Sequence, residues 1–434
     1  MIPKMGGPGL GSIPGPWHQL QPNPTRAHNS AISGRRILAI ISTAFLFWVI
    51  LFIALPERDS PFPLLRPTPK DHPFGPLRFH EDGTFHICIL EDLHFGENAW
   101  KPWGPRQDLA TIKVIGSVLD AEPSTSLVVL NGDLITGENT FLENSTHYID
   151  QIVSPLVHRN LTWASTYGNH DSQFNLSRSA LFSREKRYPN SRTVQMVSSQ
   201  NDKAGITNYF LPVYPSVSSS SHGDKPLLIL YFFDSRGGFF FQAKKKGQSN
   251  WVDSSVVDWF KRTSSIYPQV PSLAFVHIPP NATLTLQQEG IDAHHHPGIN
   301  QDIPLSQQGQ GWCSDGTEGC KYGGKDVPFM QALAETPGLM AVFVGHDHGN
   351  TWCKKWVHGA SLCFGQHTGY GGYGRWVRGA RQVVVSVEGL IEKEVNTWLR
   401  LETGKVVGKV TLNESYGGDW YEKVKDERTC LDCH

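Results

Sequence analysis

The sequence predicts an α/β fold of alternating strands and helices, preceded by one transmembrane helix. Three observations predict it. Seven short apolar runs, each followed by a loop, recur from about residue 80 onward. Segments with helical apolar spacing lie between several of them. Ahead of them all stands an uncharged run, residues 37–55, long enough to cross a hydrocarbon core at about 1.5 Å per residue.

Taken in chain order, residues 1–36 hold Lys4, Arg26, Arg35 and Arg36, no acidic residue, and six prolines among many glycines. Such a stretch cannot bury enough apolar surface to order itself and reads as a disordered tail. Its basic character predicts a cytoplasmic tail, with the bulk of the chain lumenal or extracellular. The run 37–55 has only Ser42 and Thr43 as polar members and ends at Pro56, before Glu57, Arg58 and Asp59. A cleaved signal peptide would have a shorter apolar region and a small-x-small site where Pro56 stands, so the run reads as a retained anchor. Five Asn-x-Ser/Thr sequons, at Asn144, Asn160, Asn175, Asn281 and Asn413, all follow it. They fit a glycosylated domain in the secretory pathway or vacuole. Cys313 with Cys320 and Cys353 with Cys363 are spaced to close small loops in an oxidising compartment. Cys430 and Cys433 pair or stay free, and Cys88 reads as a buried thiol. Residues 56–79 are Pro-rich and read as an extended linker, which leaves 80–434 as the folded domain.

Within that domain FHICIL (85–90), SLVVLNG (126–132), TWASTYG (162–168), LLILYFF (227–233), SLAFVHI (272–278), LMAVFVG (339–345) and RQVVVSVE (381–388) read as buried strands. Residues 107–120 read as a helix with Leu109, Ile112, Ile115 and Leu119 on one face. A second helix, 254–263, follows Asp253 as N-cap. The Ser-rich stretch 215–221 and the Gly/Gln-rich stretch 285–325 read as loops, and His294, His295 and His296 as an exposed part of the latter. The chain holds 39 Lys plus Arg against 40 Asp plus Glu, so nothing points to a nucleic-acid partner.

Chemistry-bearing residues cluster just past five of the strands. They are Glu91–Asp92–Leu93–His94, Gly132–Asp133, Gly168–Asn169–His170–Asp171, His277, and Gly345–His346–Asp347–His348. Each has a bland reading when taken singly: a turn, a loop, a hydrogen-bonded core histidine. Together they form an ordered set of nitrogen and oxygen donors at strand ends, where ligands converge on one crevice.

In this set, D-x-H, G-D, G-N-H-D, H and G-H-x-H in order, the chain resembles the calcineurin-like metallophosphoesterase family over most of residues 80–390. The segments EDLHFGE, VGHDHGN and CFGQHTGYGGYGR resemble the purple-acid-phosphatase-like subgroup of fungi and plants. The resemblance implies a β-sandwich of two mixed sheets flanked by helices. It implies a first metal on Asp92, His94, Asp133 and His348, and a second on Asp133, Asn169, His277 and His346, with Asp133 bridging. The ions would be Fe, Mn or Zn, and a metal-bound hydroxide would attack a phosphomonoester; a phosphodiester is the alternative substrate, and a non-catalytic binding protein a further reading. His170 would serve the leaving oxygen, with Asp171 either orienting it or capping a helix. His367, Tyr370, Tyr373 and Arg375 would lie on the pocket rim or in a Gly-rich turn. One departure stands out: purple enzymes carry a Tyr three residues after the bridging Asp and lack the His of D-x-H, whereas this chain has Thr136 and His94. The resemblance therefore implies a colourless protein.

Overall fold

The computed structural model describes residues 72–199, 203–218, 225–243, 246–305, 309–312 and 321–429. The expected tail and membrane run lie outside these residues, as do Cys313, Cys320, Cys430 and Cys433. Among the described residues no helix is long and apolar enough to cross a membrane.

The strands are β1 (Leu77–Arg78), β2 (Thr84–Leu90), β3 (Leu127–Asn131), β4 (Trp163–Thr166), β5 (Tyr209–Tyr214), β6 (Leu228–Phe233), β7 (Ser272–Val276), β8 (Leu339–Val344), β9 (Cys353–Lys355), β10 (Ser361–Phe364), β11 (Gly379–Ser386), β12 (Val395–Leu401) and β13 (Val406–Leu412). The α-helices are α1 (Gly104–Ala121), α2 (Tyr148–His158), α3 (Arg178–Glu185), α4 (Ser254–Ser264), α5 (Asn281–Gln288), α6 (Val327–Ala334) and α7 (Val387–Ile391). One sheet runs β1-β5-β6-β7-β8-β10-β9 and the other β13-β12-β11-β2-β3-β4. Both are mixed. β6, β7, β8 and β10 are parallel in the first, and β2, β3 and β4 in the second.

Side-chain alternation explains the layering. Phe85, Ile87 and Ile89 of β2 face Leu230, Phe232, Phe275 and Phe343 of the other sheet in one central core. Cys88 and Leu90, on the opposite face of β2, pack with Val114, Ile115, Val118, Ile149 and Ile152 of α1 and α2. Tyr231, Phe233, Ala274 and Val342 pack on α4 and α6 through Phe260 and Phe329. Strands covered on both faces read as continuous apolar runs, which is why these were conspicuous in the sequence. Asp253 caps α4 by accepting the Ser255 N–H at 3.0 Å, as its position predicts. Cys88 is free and buried, and burial pushes its thiol up to about 12. Cys353 and Cys363 pair across β9 and β10.

Four expectations need correction. The linker is folded from residue 72: β1 pairs with β5, and Arg192 donates to the Gly75 carbonyl at 2.9 Å. Leu109 is 59% exposed; α1 turns Asp108, Thr111, Ile115, Val118 and Leu119 inward instead. Residues 281–288, placed partly in a loop, form α5. The three consecutive histidines are half-buried. The His294 and His295 Nδ1 atoms donate to the carbonyls of Tyr421 and Asp419 at 2.9 and 2.8 Å, which pins the C-terminal segment.

Candidate metal centre

The C-terminal ends of β2, β3 and β4 meet those of β7 and β8 along one edge of the sandwich. The turns leaving these strands are tight, and the backbone shows it. Asp92, His94, Asp133 and His346 all adopt left-handed conformations, with φ of 53°, 49°, 48° and 74°. Non-glycine residues avoid that region at a cost of about 1 kcal/mol or more each, and such strain gathers at functional sites. Two motif glycines are required by contact. A Cβ at Gly132 would lie 2.4 Å from the His277 ring, and one at Gly168 would lie 2.3 Å from Asp133 Oδ1. The G of G-D and the G of G-N-H-D therefore let the loops close around the centre.

Two groups of donors face one another there. Asp92, His94 and His348 place one ligand atom each within 4.8 Å of one another, and so do Asp133, His277 and His346. His94 Nε2 lies 3.2 Å from His348 Nε2, and His348 Nε2 lies 3.5 Å from Asp92 Oδ1. Asp133 Oδ2 lies 3.0 Å from His277 Nε2 and 3.9 Å from His94 Nε2, between the groups. All six residues are at least nine-tenths buried.

Three imidazoles commit Nδ1 elsewhere. His277 Nδ1 donates to the Asn131 carbonyl at 2.8 Å, His348 Nδ1 to the Tyr373 carbonyl at 2.9 Å, and His94 Nδ1 to Thr136 Oγ1 at 3.0 Å. The two carbonyls require a proton on Nδ1 of His277 and His348, and all three rings turn Nε2 to the cluster, the arrangement of metal-ligating histidines. Thr136, in the position of the purple enzymes' tyrosine, thus supports the histidine those enzymes lack. His277 Nε2 faces Asp133 Oδ2 at 3.0 Å. The buried atoms Asn169 Oδ1 and His346 Nε2 have no hydrogen-bond partner. Buried polar atoms are satisfied unless something else binds them. The donor set, the tautomers and the orphaned atoms all fit metal ions.

The electrostatics divide the imidazoles: burial opposes a charge on His277, but Asp133 and Asp92 outweigh it and push His277 up to about 10, so a metal would take the place of its Nε2 proton. Burial, with His170 and His348 beside it, holds His94 well below the ordinary histidine range. Burial, with His277, takes His346 down to about 3. Both are neutral imidazoles, the form that binds a metal. Burial opposes ionisation of Asp133, but His277 and His170 outweigh it and hold the carboxyl well below its usual range.

His170 stands beside the centre, its backbone N–H donating to Asp133 Oδ1 at 2.8 Å. Its Nδ1 donates to Glu138 Oε1 at 2.7 Å. Burial disfavours the imidazolium, but Glu138 and Asp133 outweigh it and push His170 up to about 10. Asp171 does not orient this ring. It is fully buried and accepts the N–H groups of Leu134, Ile135 and Gly168 at 3.0, 3.0 and 2.8 Å, tying the loop after β3 to the loop after β4. Burial and Asp133 push it up to about 7. Glu138 takes the orienting place. No motif marks it; the available signal was its position in the loop that already carries Asp133. Tyr373 stacks on His348 with ring centres 4.1 Å apart. His367 is buried against His348, ring centres 3.8 Å apart, and accepts from Arg378 at 2.8 Å. Tyr370 donates to Glu402 at 2.7 Å, away from the centre, and the Arg375 carbonyl accepts the Thr429 N–H at 2.8 Å.

Two cavities open onto the centre. One, of about 420 Å³, is lined by His94, Glu97, Thr136, Asn139, His348 and Tyr373. The other, of about 190 Å³, is lined by Asn169, Gln173, Phe239, Gln248 and Ile278. Glu138, His170 and His346 border both.

The family model for calcineurin-like phosphoesterases matches residues 85–350. The chain belongs to the calcineurin-like phosphoesterases. Within this family it is similar to a protein of Arabidopsis thaliana named probable inactive purple acid phosphatase 29, 28% identical over 368 residues that cover 78% of this chain and 87% of that one. It is 27% identical over 344 residues to phosphatase DCR2 of Saccharomyces cerevisiae, covering 75% of this chain and 55% of that one. Among solved structures, a dimetal phosphatase from Danio rerio covers 76% of this chain and 98% of its own, at 13% identity and a TM-score of 0.45. Calcineurin-like phosphoesterases act on phosphate esters, and this member presents two candidate metal-ligand clusters at its strand ends.

Proposed function

We propose that this calcineurin-like phosphoesterase is a membrane-anchored enzyme that hydrolyses phosphomonoesters with two metal ions, its catalytic domain lumenal or extracellular. The observation that carries the hydrolytic reading is the pair of buried donor groups sharing Asp133, with orphaned atoms turned inward beside an open cavity. Asp92, His94 and His348 hold one ion, Asn169, His277 and His346 the other, and Asp133 lies between them. Nitrogen and oxygen donors without a tyrosinate suit Fe, Mn or Zn. When bound, the ions activate water and neutralise the phosphate oxygens. His170, held by Glu138 through Nδ1, keeps Nε2 free to give a proton to the leaving oxygen. The word inactive belongs to the names of Arabidopsis relatives; in this chain seven donor side chains and His170 are all in place. A phosphodiester is a second reading, favoured by the smaller cavity, which offers a place for a second ester arm.

The test uses the full chain in detergent, loaded with Fe, Mn or Zn in turn and assayed on 4-nitrophenyl phosphate and bis(4-nitrophenyl) phosphate. Two ions per chain and turnover on the monoester are expected. Asp133→Asn should lose both ions and all turnover. Two ions and normal turnover in that variant would overturn the assignment.

A further inference from the structure

Two cavities border the metal centre, and the larger, of about 420 Å³, is the roomier place for the organic group of a phosphate ester. The carboxylates lining that cavity are Asp133, Glu138 and Glu97, and among the described residues no Lys or Arg lines it. Asp133 lies between the metal-ligand groups, and Glu138 is engaged by His170 at 2.7 Å. Glu97 stands apart from both: its Oε2 accepts the backbone N–H of Gly372. That bond fixes the carboxylate against the turn that carries Tyr373, whose ring lines the same cavity and is 48% exposed. The phosphoryl end would be placed independently, by the ions that the two donor groups around Asp133 would hold.

We infer that Glu97 and Tyr373 form a leaving-group subsite that selects phosphate esters of cationic alcohols, amino or quaternary ammonium, over esters whose alcohol carries a carboxylate or a second phosphate. The inference rests on the phosphoesterase reading and names its substrate class. A fixed carboxylate beside an aromatic ring attracts a positive group in both ways open to it, by charge and through the ring. The same carboxylate repels an anionic alcohol; no Lys or Arg among the described residues lines the cavity, and the one charged imidazole there, His170, is already paired with Glu138.

The experiment compares the phosphate esters of choline, glycerol and glyceric acid on the metal-loaded full chain, by kcat/KM and by calorimetric affinity. The choline ester should exceed the glycerate ester by about tenfold or more, with glycerol between them. Glu97→Gln keeps an acceptor for the Gly372 N–H and should collapse the ranking; Glu97→Lys should reverse it. Equal values for the three esters, a preference for glycerate, or an unchanged ranking in Glu97→Gln would each overturn the subsite. Failure to cleave any ester, 4-nitrophenyl phosphate included, sinks the phosphoesterase reading instead, and the calorimetric ranking then still decides the subsite.

Discussion

His170 depends on a carboxylate 32 positions earlier in the chain. Glu138 holds Nδ1, so the proton available to a substrate is on Nε2. If His170 is the acid, His170→Ala should lower turnover of an alkyl phosphate by about two to four orders of magnitude while both ions stay bound. The loss should shrink for 4-nitrophenyl phosphate, whose leaving group needs little protonation. Glu138→Gln should act in the same direction but more weakly, since a glutamine still orients the ring while losing the charge. Metal analysis alongside the kinetics decides the matter: an ion lost from His170→Ala would make His170 a ligand. The metal-binding residue types were legible in the sequence because they sit in short motifs straight after apolar runs. The parts played by Glu138, Glu97 and Thr136 were not. Their roles come from hydrogen bonds across loops, and no local spacing encodes those.

Among the elements, β4 and α3 are joined by one buried carboxylate. Glu185 accepts from Trp163 Nε1, Ser165 Oγ, Tyr167 Oη, Ser191 Oγ and Thr193 Oγ1 at 2.6–2.9 Å. Glu185→Ala leaves five buried donors to find other partners and should destabilise the fold by about 3–5 kcal/mol by denaturant midpoint. A change below about 1 kcal/mol would show that the network is dispensable. Helix α1 carries a second buried carboxylate, Asp108, which accepts the Gly96 N–H at 3.1 Å. Burial pushes it up to about 7, against the usual 3.8 of an aspartate, so the folded state holds the proton more tightly than the unfolded chain. That contribution is complete below about pH 4 and is lost as the pH rises to about 7. Asp108→Asn keeps the acceptor and cannot ionise. Its stability relative to the parent should therefore climb between pH 4 and pH 8, by up to about 4 kcal/mol. Parallel melting curves across that range would contradict the burial argument.

Across the whole molecule, the strands legible in the sequence were those buried on both faces. β12 escaped notice because it alternates, with Val395, Thr397, Leu399 and Leu401 buried between half-buried neighbours. β13 is the edge strand and largely open to solvent at its start. β5 contains Pro212, which argues against a strand until its neighbours are known. The membrane run and the sequons speak to topology. A cytoplasmic N-terminus with a glycosylated catalytic domain should protect that domain from protease in sealed microsomes; digestion without detergent would reverse the orientation.

The centre also straddles the sandwich. Asp92, His94, Asp133 and Asn169 follow strands of one sheet, whereas His277, His346 and His348 follow strands of the other. Neither sheet owns a complete set of donors for either ion. Metal uptake would therefore act as a coincidence detector for assembly: an ion held by donors of both sheets would bind only where the two halves have docked in register, and would rivet them. On the proposed function, a chain whose sheets are misaligned would be silent rather than weakly active, and catalytic output would report on the quality of the fold itself.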